Sequence, residues 1–528
     1  MKAFAALLDA LAFAPQRNAK LRLLQRYFRE TPDPDRGYGL AALTGTLTFP
    51  HAKPALIRSL VGTRTDPVLF ALSYDYVGDL AETAALLWPA EGEASTPPPL
   101  ARVVATLGCA DKAQLPGQVT AFLDALDESG RFALLKLITG GLRVGVSARL
   151  AKTALAELGS VDVAEIEELW HGLKPPYGEL FAWLEGRGAR PTGHHGLGFR
   201  PMMLATSLAE AELDALDPAD FAAEWKWDGI RVQVTARGGE ARLWSRTGED
   251  ITRAFPDVVA RMTFDAVLDG ELLVVRDGVV APFNHLQQRL GRKTVGAKRL
   301  NEYPAAIMVY DLLMENGEDL RPRPMEQRRR RLEAWTRQLS LPQVALSPLV
   351  AFSTWDDLAG MRAAARDDGI EGLMLKRWDS DYVPGRPKGP WFKWKRAPLT
   401  VDCVLMYARR GHGRRSSFYS DYTFGCWQED NGVGRALVPV GKAYFGFTDA
   451  ELAELDRWVR AHTMERYGPV RAVRPELVLE IACDSVHPSA RHKSGLAMRF
   501  PRVQRIRWDK PAGEADTVEA LRALIARV

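Results

Sequence analysis

Beyond Gly229 the apolar residues Ile230, Val232 and Val234 alternate with Arg231, Gln233 and Thr235. That period of two is the pattern of a half-buried strand. The chain enters the strand through Glu224-Trp225-Lys226-Trp227-Asp228-Gly229, which reads as a turn in which Gly229 permits the tight bend. A lysine between two tryptophans, with a carboxylate two residues away on either side, is an unusual way to open a strand. At an ordinary pKa near 10.4, roughly one lysine in a few thousand is the neutral amine at pH 7. Desolvation by the indoles and a nearby metal cation would lower that pKa and free the amine for attack, with Asp228 orienting it. The competing reading is a common turn with a solvated lysine.

At 528 residues the chain has room for about three domains. Hydrophobic content of 46% with 26% charged residues is that of an ordinary soluble globular protein. The formal charge of +4 confines any nucleic-acid affinity to local patches. Cys109, Cys403, Cys426 and Cys483 are scattered, which argues against a zinc cluster or disulfide framework and for a reducing compartment. The N-terminal apolar run is broken by Asp9, and Phe4, Leu7, Leu8 and Leu11 share one helical face. An amphipathic core helix is the reading, not a signal peptide, and no run of 18 apolar residues predicts a membrane span.

Residues 1–195 read as an all-α module. Helical spacing is found over 3–13, 18–30, 54–61, 79–87, 116–126 and 129–138, punctuated by Asp33-Pro34, Pro97 to Pro99 and Pro175-Pro176. In Thr139-Gly140-Gly141-Leu142-Arg143-Val144-Gly145-Val146, glycines bracket an arginine. Backbone amides there can approach a phosphate while Arg143 supplies charge; the alternative is an interhelical turn. Residues 185–200, with His194-His195, read as a linker.

The chemistry concentrates in residues 196–396. Gly238-Gly239 makes a hairpin, whose return strand ends in Ser245-Arg246-Thr247-Gly248; Arg246 there suits a ribose or phosphate, or is a surface hairpin end. In Val267 to Val275, a glycine turn at Gly270 is expected between apolar runs. Asp269 and Glu271 share strand parity, and carboxylates in apolar surroundings call for a cation. Residues 305–313 form a buried-strand candidate containing Tyr310, which is either a base-stacking ring or core. Arg321 to Arg331, with six arginines and one glutamate, reads as a solvated basic helix or a phosphate contact. Glu371 lies between Gly369 and Gly372 ahead of an apolar strand ending in Lys376. Trp391-Phe392-Lys393-Trp394-Lys395 puts two lysines on one strand face, a repulsive arrangement that favours a polyanion such as a nucleoside triphosphate. Residues 397–528 give short strands at 401–407, 423–428, 436–440, 477–482 and 499–507, the count of a five-stranded OB barrel. Arg409, Arg410, Arg414 and Arg415 flank a glycine loop suited to DNA phosphates, or form a solvated basic loop.

The ordered set Lys226-Trp-Asp-Gly-Ile-Arg231, Ser245-Arg-Thr-Gly, Asp269-Gly-Glu271, Tyr310-Asp311, Glu371-Gly-Leu-Met-Leu-Lys376 and Trp391-Phe-Lys-Trp-Lys395 resembles the nucleotidyltransferase motifs of ATP-dependent DNA ligases, of the bacterial and archaeal type. Trp227 stands where that family usually has tyrosine, Thr247 where asparagine is common and Tyr310 where phenylalanine is frequent. The helical N-terminus, with Leu142 to Val146 and Arg200 to Ala205, looks like the family's DNA-binding domain. Arg499-Phe-Pro-Arg502 and Arg507-Trp-Asp509-Lys510 resemble its last motif. The resemblance implies a multidomain protein: an all-α DNA-binding domain (1–195), an α+β adenylation core of ATP-grasp-like antiparallel sheets (196–396) and an OB-fold β-barrel (397–528), closing around a duplex.

It also implies the mechanism. Lys226 attacks the ATP α-phosphorus, AMP passes to the 5′-phosphate of a nick, and the 3′-hydroxyl displaces it. Glu224 reads the adenine edge and Tyr310 stacks on the ring. Arg231, Arg246 and Glu271 hold ribose and phosphates, Lys376, Lys393 and Lys395 bind the triphosphate, and Arg502 and Lys510 close over ATP. Glu271 and Glu371 are the Mg²⁺ candidates, with Mn²⁺ able to serve in its place. The expectation is a monomer acting on nicked duplex DNA in the cytoplasm, nucleoid-associated if bacterial, without a membrane. An RNA ligase or capping enzyme is the alternative within the superfamily, disfavoured by the long helical module; a catalytically dead DNA-binding scaffold is the alternative outside it. The four-cysteine zinc finger typical of NAD-dependent ligases is missing.

Overall fold

The computed structural model describes residues 1–525 except 90–95, 192–196, 291, 293, 340, 366–368, 412–418, 431–433, 445 and 491. The chain divides into two compact units. One comprises Met1–Ser160, Lys174–Gly188 and Pro398–Val528, the other Val161–Leu173 and Ala189–Ala397.

The N-terminal part of the first unit is helical. Lys2–Phe13 buries Phe4, Leu7, Leu8 and Leu11, the face expected of a core helix. Arg17–Glu30 presents Leu21, Leu24, Tyr27 and Phe28 to the same core. All six expected helices form, with ends shifted by a few residues. Asp35–Leu43, Pro67–Val77, Leu100–Cys109, Ala148–Gly159 and Gly178–Leu184 are additional. Glu185 lies in the expected linker but is an anchor here: it accepts from Arg36 Nη2 at 3.1 Å, while the Arg36 guanidinium lies 4.2 Å over the Phe181 ring. His194 and His195 fall outside the described residues.

The second unit is built on two sheets. Its strands are β1 (Thr206–Ser207), β2 (Phe221–Trp227), β3 (Ile230–Arg237), β4 (Glu240–Ser245), β5 (Ala266–Arg276), β6 (Val279–Val280), β7 (Ala305–Glu315), β8 (Glu318–Asp319), β9 (Val344–Leu346), β10 (Leu349–Val350), β11 (Ile370–Arg377) and β12 (Trp391–Lys395). One sheet runs β1-β12-β11-β2-β10. The other runs β4-β3-β5-β7-β8, with β6 on β5 and β9 on β7. Each sheet buries its outer face in its own apolar core. Phe221, Ala223, Leu373, Leu375, Phe392 and Trp394 pack with Leu358 of the helix Trp355–Ala364. Val232, Val234, Leu268, Leu272, Ile307 and Val309 pack with Leu332 of the helix Met325–Arg337. Val267, Leu313, Met374, Tyr382 and Trp391 form a smaller apolar seam joining the two sheets. The short helix Val163–Leu169 belongs to this unit, because Glu168 pairs with Arg321 at 2.5 Å and the His171 ring lies 4.9 Å from Trp244.

The expected turn at Gly270 is not there; β5 runs unbroken through it. A Cβ at Gly270 would stand 2.7 Å from Ile307 Cγ2 and 2.9 Å from the Met308 carbonyl oxygen. The residue is glycine because the neighbouring strand passes too close for a side chain. Gly229 has the same explanation, since a Cβ there would lie 2.7 Å from Glu271 Cγ. The bend expected at Gly229 is present, between β2 and β3, and the close approach of Glu271 adds a second reason for glycine there.

The C-terminal part of the first unit is sheet-rich. β13 (Leu399–Arg410) pairs with β14 (Tyr419–Asp430), with β17 (Val470–Val473) and with β18 (Val478–Cys483). β15 (Gly434–Ala443) extends β14, β16 (Thr463–Tyr467) extends β17, and β21 (Arg502–Arg507) extends β18. β19 (Ser485–Pro488) and β20 (Leu496–Arg499) form a separate pair. The helix Asp449–Ala461 was not expected. Beyond the five expected strands the described residues add β16, β17, β19 and β20, and the 12-residue β13 pairs with β14, β17 and β18 along its length.

Candidate active site

Strand alternation decides what faces the space between the two sheets of the second unit. On β2 the odd residues Phe221 and Ala223, with Trp225 packed against them, face the outer core. Glu224 and Lys226 therefore face inward. The two indoles expected to desolvate Lys226 are thus on the opposite face: Trp225 packs into the outer core, and the Trp227 indole N–H donates to Ser347 Oγ at 3.1 Å. The carboxylate that holds the Lys226 ammonium is Glu371, not the neighbouring Asp228. Lys395 Nζ lies 3.5 Å from the same Glu371 oxygen.

Glu371 reaches this position through a β-bulge. Ile370 pairs with Trp227 and Gly372 with Lys226, so β11 spends one extra residue, Glu371, where β2 spends none. Without the bulge, Glu371 would share the parity of Leu373 and Leu375 and point into the outer core. Gly372 takes φ +143°, and a Cβ on it would lie 2.8 Å from Lys395 Cα. A second bulge sits at Tyr310. Asp269 pairs with Asp311 and Gly270 with Val309, leaving Tyr310 as the extra residue on β7. Burial pushes its hydroxyl well above its ordinary pKa.

Behind Lys226 lies a buried ionic cluster. Glu224, 1% exposed, accepts from Lys376 Nζ at 2.7 Å on Oε2 and from Arg329 Nη1 at 3.0 Å on Oε1. The Lys376 ammonium is enclosed, 4.2 Å from the centre of the Tyr310 ring and 4.6 Å from that of Trp391. Lys376, expected to bind the triphosphate, is buried beside Glu224 and Tyr310. Arg329 also donates to the Ser347 carbonyl at 2.8 Å. Arg328, next to it, is bidentate to Asp311 at 2.9 and 3.0 Å, and both partners are buried. The basic helix is therefore not simply solvated: two of its arginines turn inward and fix site carboxylates.

On the facing sheet, Arg231 is bidentate to the buried Asp269 at 3.0 and 2.6 Å. Asp269 also accepts from the Tyr382 hydroxyl at 2.7 Å. Glu271 stands opposite Arg231 on β5. Burial pushes its carboxyl up to about 8, against the pull of Lys226 and Arg231 and with the repulsion of Glu371 and Asp269.

The open side of the site is cationic. Burial and the charges of Arg386, Lys395, Lys226 and Arg246 together lower the pKa of Lys393. Lys393 and Lys395 do share one strand face, as expected, while Phe392 and Trp394 pack on the other. Arg246 is exposed just past the end of β4. Arg329, Tyr382 and Arg386 were not singled out from the sequence as site residues and became evident only from the fold. Asp269 was marked by its shared parity with Glu271 as a carboxylate in need of a cation, and the cation it meets is Arg231.

The remaining candidates lie in the first unit. Arg143, at φ +51°, lines a cavity of about 800 Å³ together with Arg17, Lys20, Ser147 and Arg149. Lys20 Nζ donates to the carbonyls of Val144 and Gly145 at 2.8 and 2.9 Å, fixing the glycine turn. Arg409 and Arg410 end β13; Arg414 and Arg415 fall outside the described residues. Arg502 pairs with Asp484 at 3.1 Å and Lys510 with Asp402 at 2.8 Å.

This arrangement has counterparts among known proteins. Residues 202–395 match the family model described as ATP dependent DNA ligase domain, and residues 415–510 match that described as ATP dependent DNA ligase C terminal region. The chain is 33% identical to a probable DNA ligase of Koribacter versatilis, covering 98% of this chain and 95% of that protein. It is 30% identical to DNA ligase 1 of Korarchaeum cryptofilum, covering 99% and 98%. The solved structure "Pmar-Lig_PreS3" shares the fold, with a TM-score of 0.61 at 16% identity over 96% of this chain and 99% of that one.

Proposed function

Because the chain belongs to the ATP-dependent DNA ligases, we propose that Lys226 is the residue that carries AMP between ATP and DNA. The observation that carries this assignment is the setting of its Nζ, held by Glu371, whose same oxygen lies 3.5 Å from Lys395 Nζ, while Lys393 feels the charges of Lys226, Lys395, Arg246 and Arg386. In the first step Nζ loses a proton and bonds the α-phosphorus of ATP as the bond to pyrophosphate breaks. The adenylate then passes to the 5′-phosphate of a nick, and the 3′-hydroxyl attacks that phosphate with AMP leaving. Charge develops on phosphate oxygens in every step, so fixed cations contribute more than any single acid or base.

The parts divide along the cleft. Glu224, pinned by Arg329 and Lys376, reads the adenine edge, and Tyr310 stacks on the ring. Lys376 serves this base end, since its ammonium is buried there. Arg231, fixed by Asp269, and Arg246 hold ribose and phosphate; Lys393 and Lys395 take the polyphosphate. Arg502 and Lys510 close over ATP. Among the described residues no group of three or more His, Cys, Asp or Glu side chains stands ready for a metal. A pair of carboxylates, Glu271 and Glu371, suits Mg²⁺ or Mn²⁺, because Mg²⁺ keeps waters and shares substrate phosphates as ligands. The ion supplies charge neutralisation on the phosphate oxygens when bound.

Arg143, with Arg17, Lys20 and Arg149 around one cavity, is read as a duplex-phosphate contact, and Arg409 and Arg410 as a second. The proposal retains three domains, with 1–195 for DNA, 196–396 for adenylation and 397–528 as an OB fold, in a cytoplasmic monomer acting on nicked duplex DNA. No helix among the described residues is long and apolar enough to cross a membrane.

The test is incubation with Mg²⁺ and α-labelled ATP, GTP or adenylate-labelled NAD in the absence of nucleic acid, followed by peptide mapping. Label from ATP on Lys226, and none in Lys226→Ala, is the expected result. Adenylylation persisting in that variant would overturn the assignment, and label from GTP would favour capping chemistry.

A further inference from the structure

Between β11 and β12 the chain makes a loop whose Tyr382 belongs to neither sheet of the second unit yet touches both. Its hydroxyl donates to Asp269 Oδ2 on β5 at 2.7 Å. Its ring stands edge-on to Trp391 of β12, 5.7 Å between centres at 85°. The loop that carries it is pinned on both sides of the tyrosine. The Tyr382 N–H donates to the Arg321 carbonyl at 2.8 Å and the Gly385 N–H to the Met202 carbonyl at 3.0 Å. The Ser380 carbonyl accepts from the Met325 N–H at 2.8 Å and from Arg328 Nη1 at 3.0 Å.

The Tyr382 hydroxyl also accepts, from Arg231 Nη2 at 3.3 Å. The same Nη2 donates to Asp269 Oδ2 at 2.6 Å, and Nε donates to Oδ1 at 3.0 Å. Arg231 Nη2, Asp269 Oδ2 and the Tyr382 hydroxyl thus form a closed triangle in which both hydrogens of Nη2 are used. Nη1 makes no hydrogen bond among the described residues. The Arg231 side chain is 14% exposed, whereas that of Asp269 is fully buried, so the guanidinium is the end of the pair that is open to a ligand. A guanidinium is planar, and fixing Nε and Nη2 fixes the direction of Nη1. A fork on a carboxylate alone can still hinge about that carboxylate; a third group at its corner removes the freedom. We propose that Tyr382 is a positioning residue for nucleotide binding, setting the direction in which Arg231 Nη1 meets the ribose and phosphate of ATP. This rests on the assignment of Arg231 to those groups. Tyr382 touches no reacting atom; it acts through Arg231 and Asp269.

The experiment measures self-adenylylation against ATP concentration, with α-labelled ATP and Mg²⁺ and without DNA, in Tyr382→Phe, Arg231→Lys and the double variant. Tyr382→Phe keeps the ring against Trp391 and removes only the hydroxyl. The ATP concentration giving half the maximal labelling rate should rise about tenfold, the effect of losing one hydrogen bond to a charged group. The fraction of molecules labelled at saturating ATP should stay unchanged. A merely structural role would do the reverse, because molecules lost to unfolding lower that fraction and leave the ATP dependence of the rest unaltered; that result would overturn the inference. The double variant should need no more ATP than Arg231→Lys, since residues acting as one unit are not additive. Losses that add in the double variant would overturn the inference. So would an unchanged ATP dependence in Tyr382→Phe beside an impaired Arg231→Lys, with the Arg231 assignment left standing. If Arg231→Lys itself responds to ATP as the unaltered protein does, the Arg231 assignment falls, and the inference with it.

Discussion

Glu371 meets Lys226 across a β-bulge: β11 inserts Glu371 between the residues that pair with Trp227 and Lys226 of β2. The ion pair at the centre of the site therefore depends on an irregularity of the ladder and on the glycine that follows it.

Gly372→Ala tests this dependence without touching a charged group. The new Cβ would press on the β12 backbone beside Lys395, at a φ that L-residues rarely adopt. The expected cost is about 2 kcal/mol or more in stability, with self-adenylylation falling at least tenfold at a temperature where the variant is still folded. Urea melts and labelling with α-labelled ATP measure both. A variant of unchanged stability and activity would show that the bulge is dispensable.

Arg329 is the hidden support of the base end. Arg329→Met leaves Glu224 with Lys376 alone and strands the Ser347 carbonyl. Breaking a buried ion network by removing one partner costs about 3–5 kcal/mol. In whatever fraction folds, the KM for ATP should rise more than kcat falls. Replacing the exposed Arg330 of the same helix should do neither.

Part of this architecture is legible from the sequence and part is not. The period-two pattern after Gly229 and the paired lysines of β12 identify two strands, because alternation is a local property, whereas Glu224 to Trp227, read as a turn, lie in β2. Glu371 is the counterexample: its parity points it to the outer core, and only the register with β2 reverses that. Arg328 and Arg329 mislead for a related reason. A run of arginines looks solvated until the tertiary fold supplies Asp311 and Glu224. The helix Asp35–Leu43 of the N-terminal module is short and rich in glycine and alanine, so packing decides it where apolar periodicity is weak.

Glu271 makes stability depend on pH in the absence of ATP and metal. Its folded pKa of about 8 lies above the ordinary 4.5. Between those values the folded state binds the extra proton, so stability is greatest at the acid end of that range and is lost as pH rises towards 8, by at most about 1.4 kcal/mol per pH unit. Melts of the nucleotide-free protein from pH 5 to 9 should show this decline, and Glu271→Gln should flatten it. A decline unchanged in Glu271→Gln would assign it to other groups.

The cavity lined by Arg17, Lys20, Arg143 and Arg149 should grip duplex phosphates. Removing Arg17 and Arg143 together should reduce the slope of log affinity against log salt for nicked DNA by about 2, near 0.9 for each phosphate left without its cation. Self-adenylylation, which needs no DNA, should be unaffected. An unchanged slope would remove this cavity from the interface.

The clamping of Glu224 at both oxygens has a consequence for the choice of fuel. A carboxylate held by Arg329 on one side and Lys376 on the other is not free to rotate to suit a different base. Facing the exocyclic amine of adenine, it offers a fixed acceptor; facing the carbonyl of guanine in the same place, it offers only repulsion. Discrimination between the two nucleotides would then be settled when the chain folds, before either arrives, and no later movement of the enzyme would be needed to tell them apart.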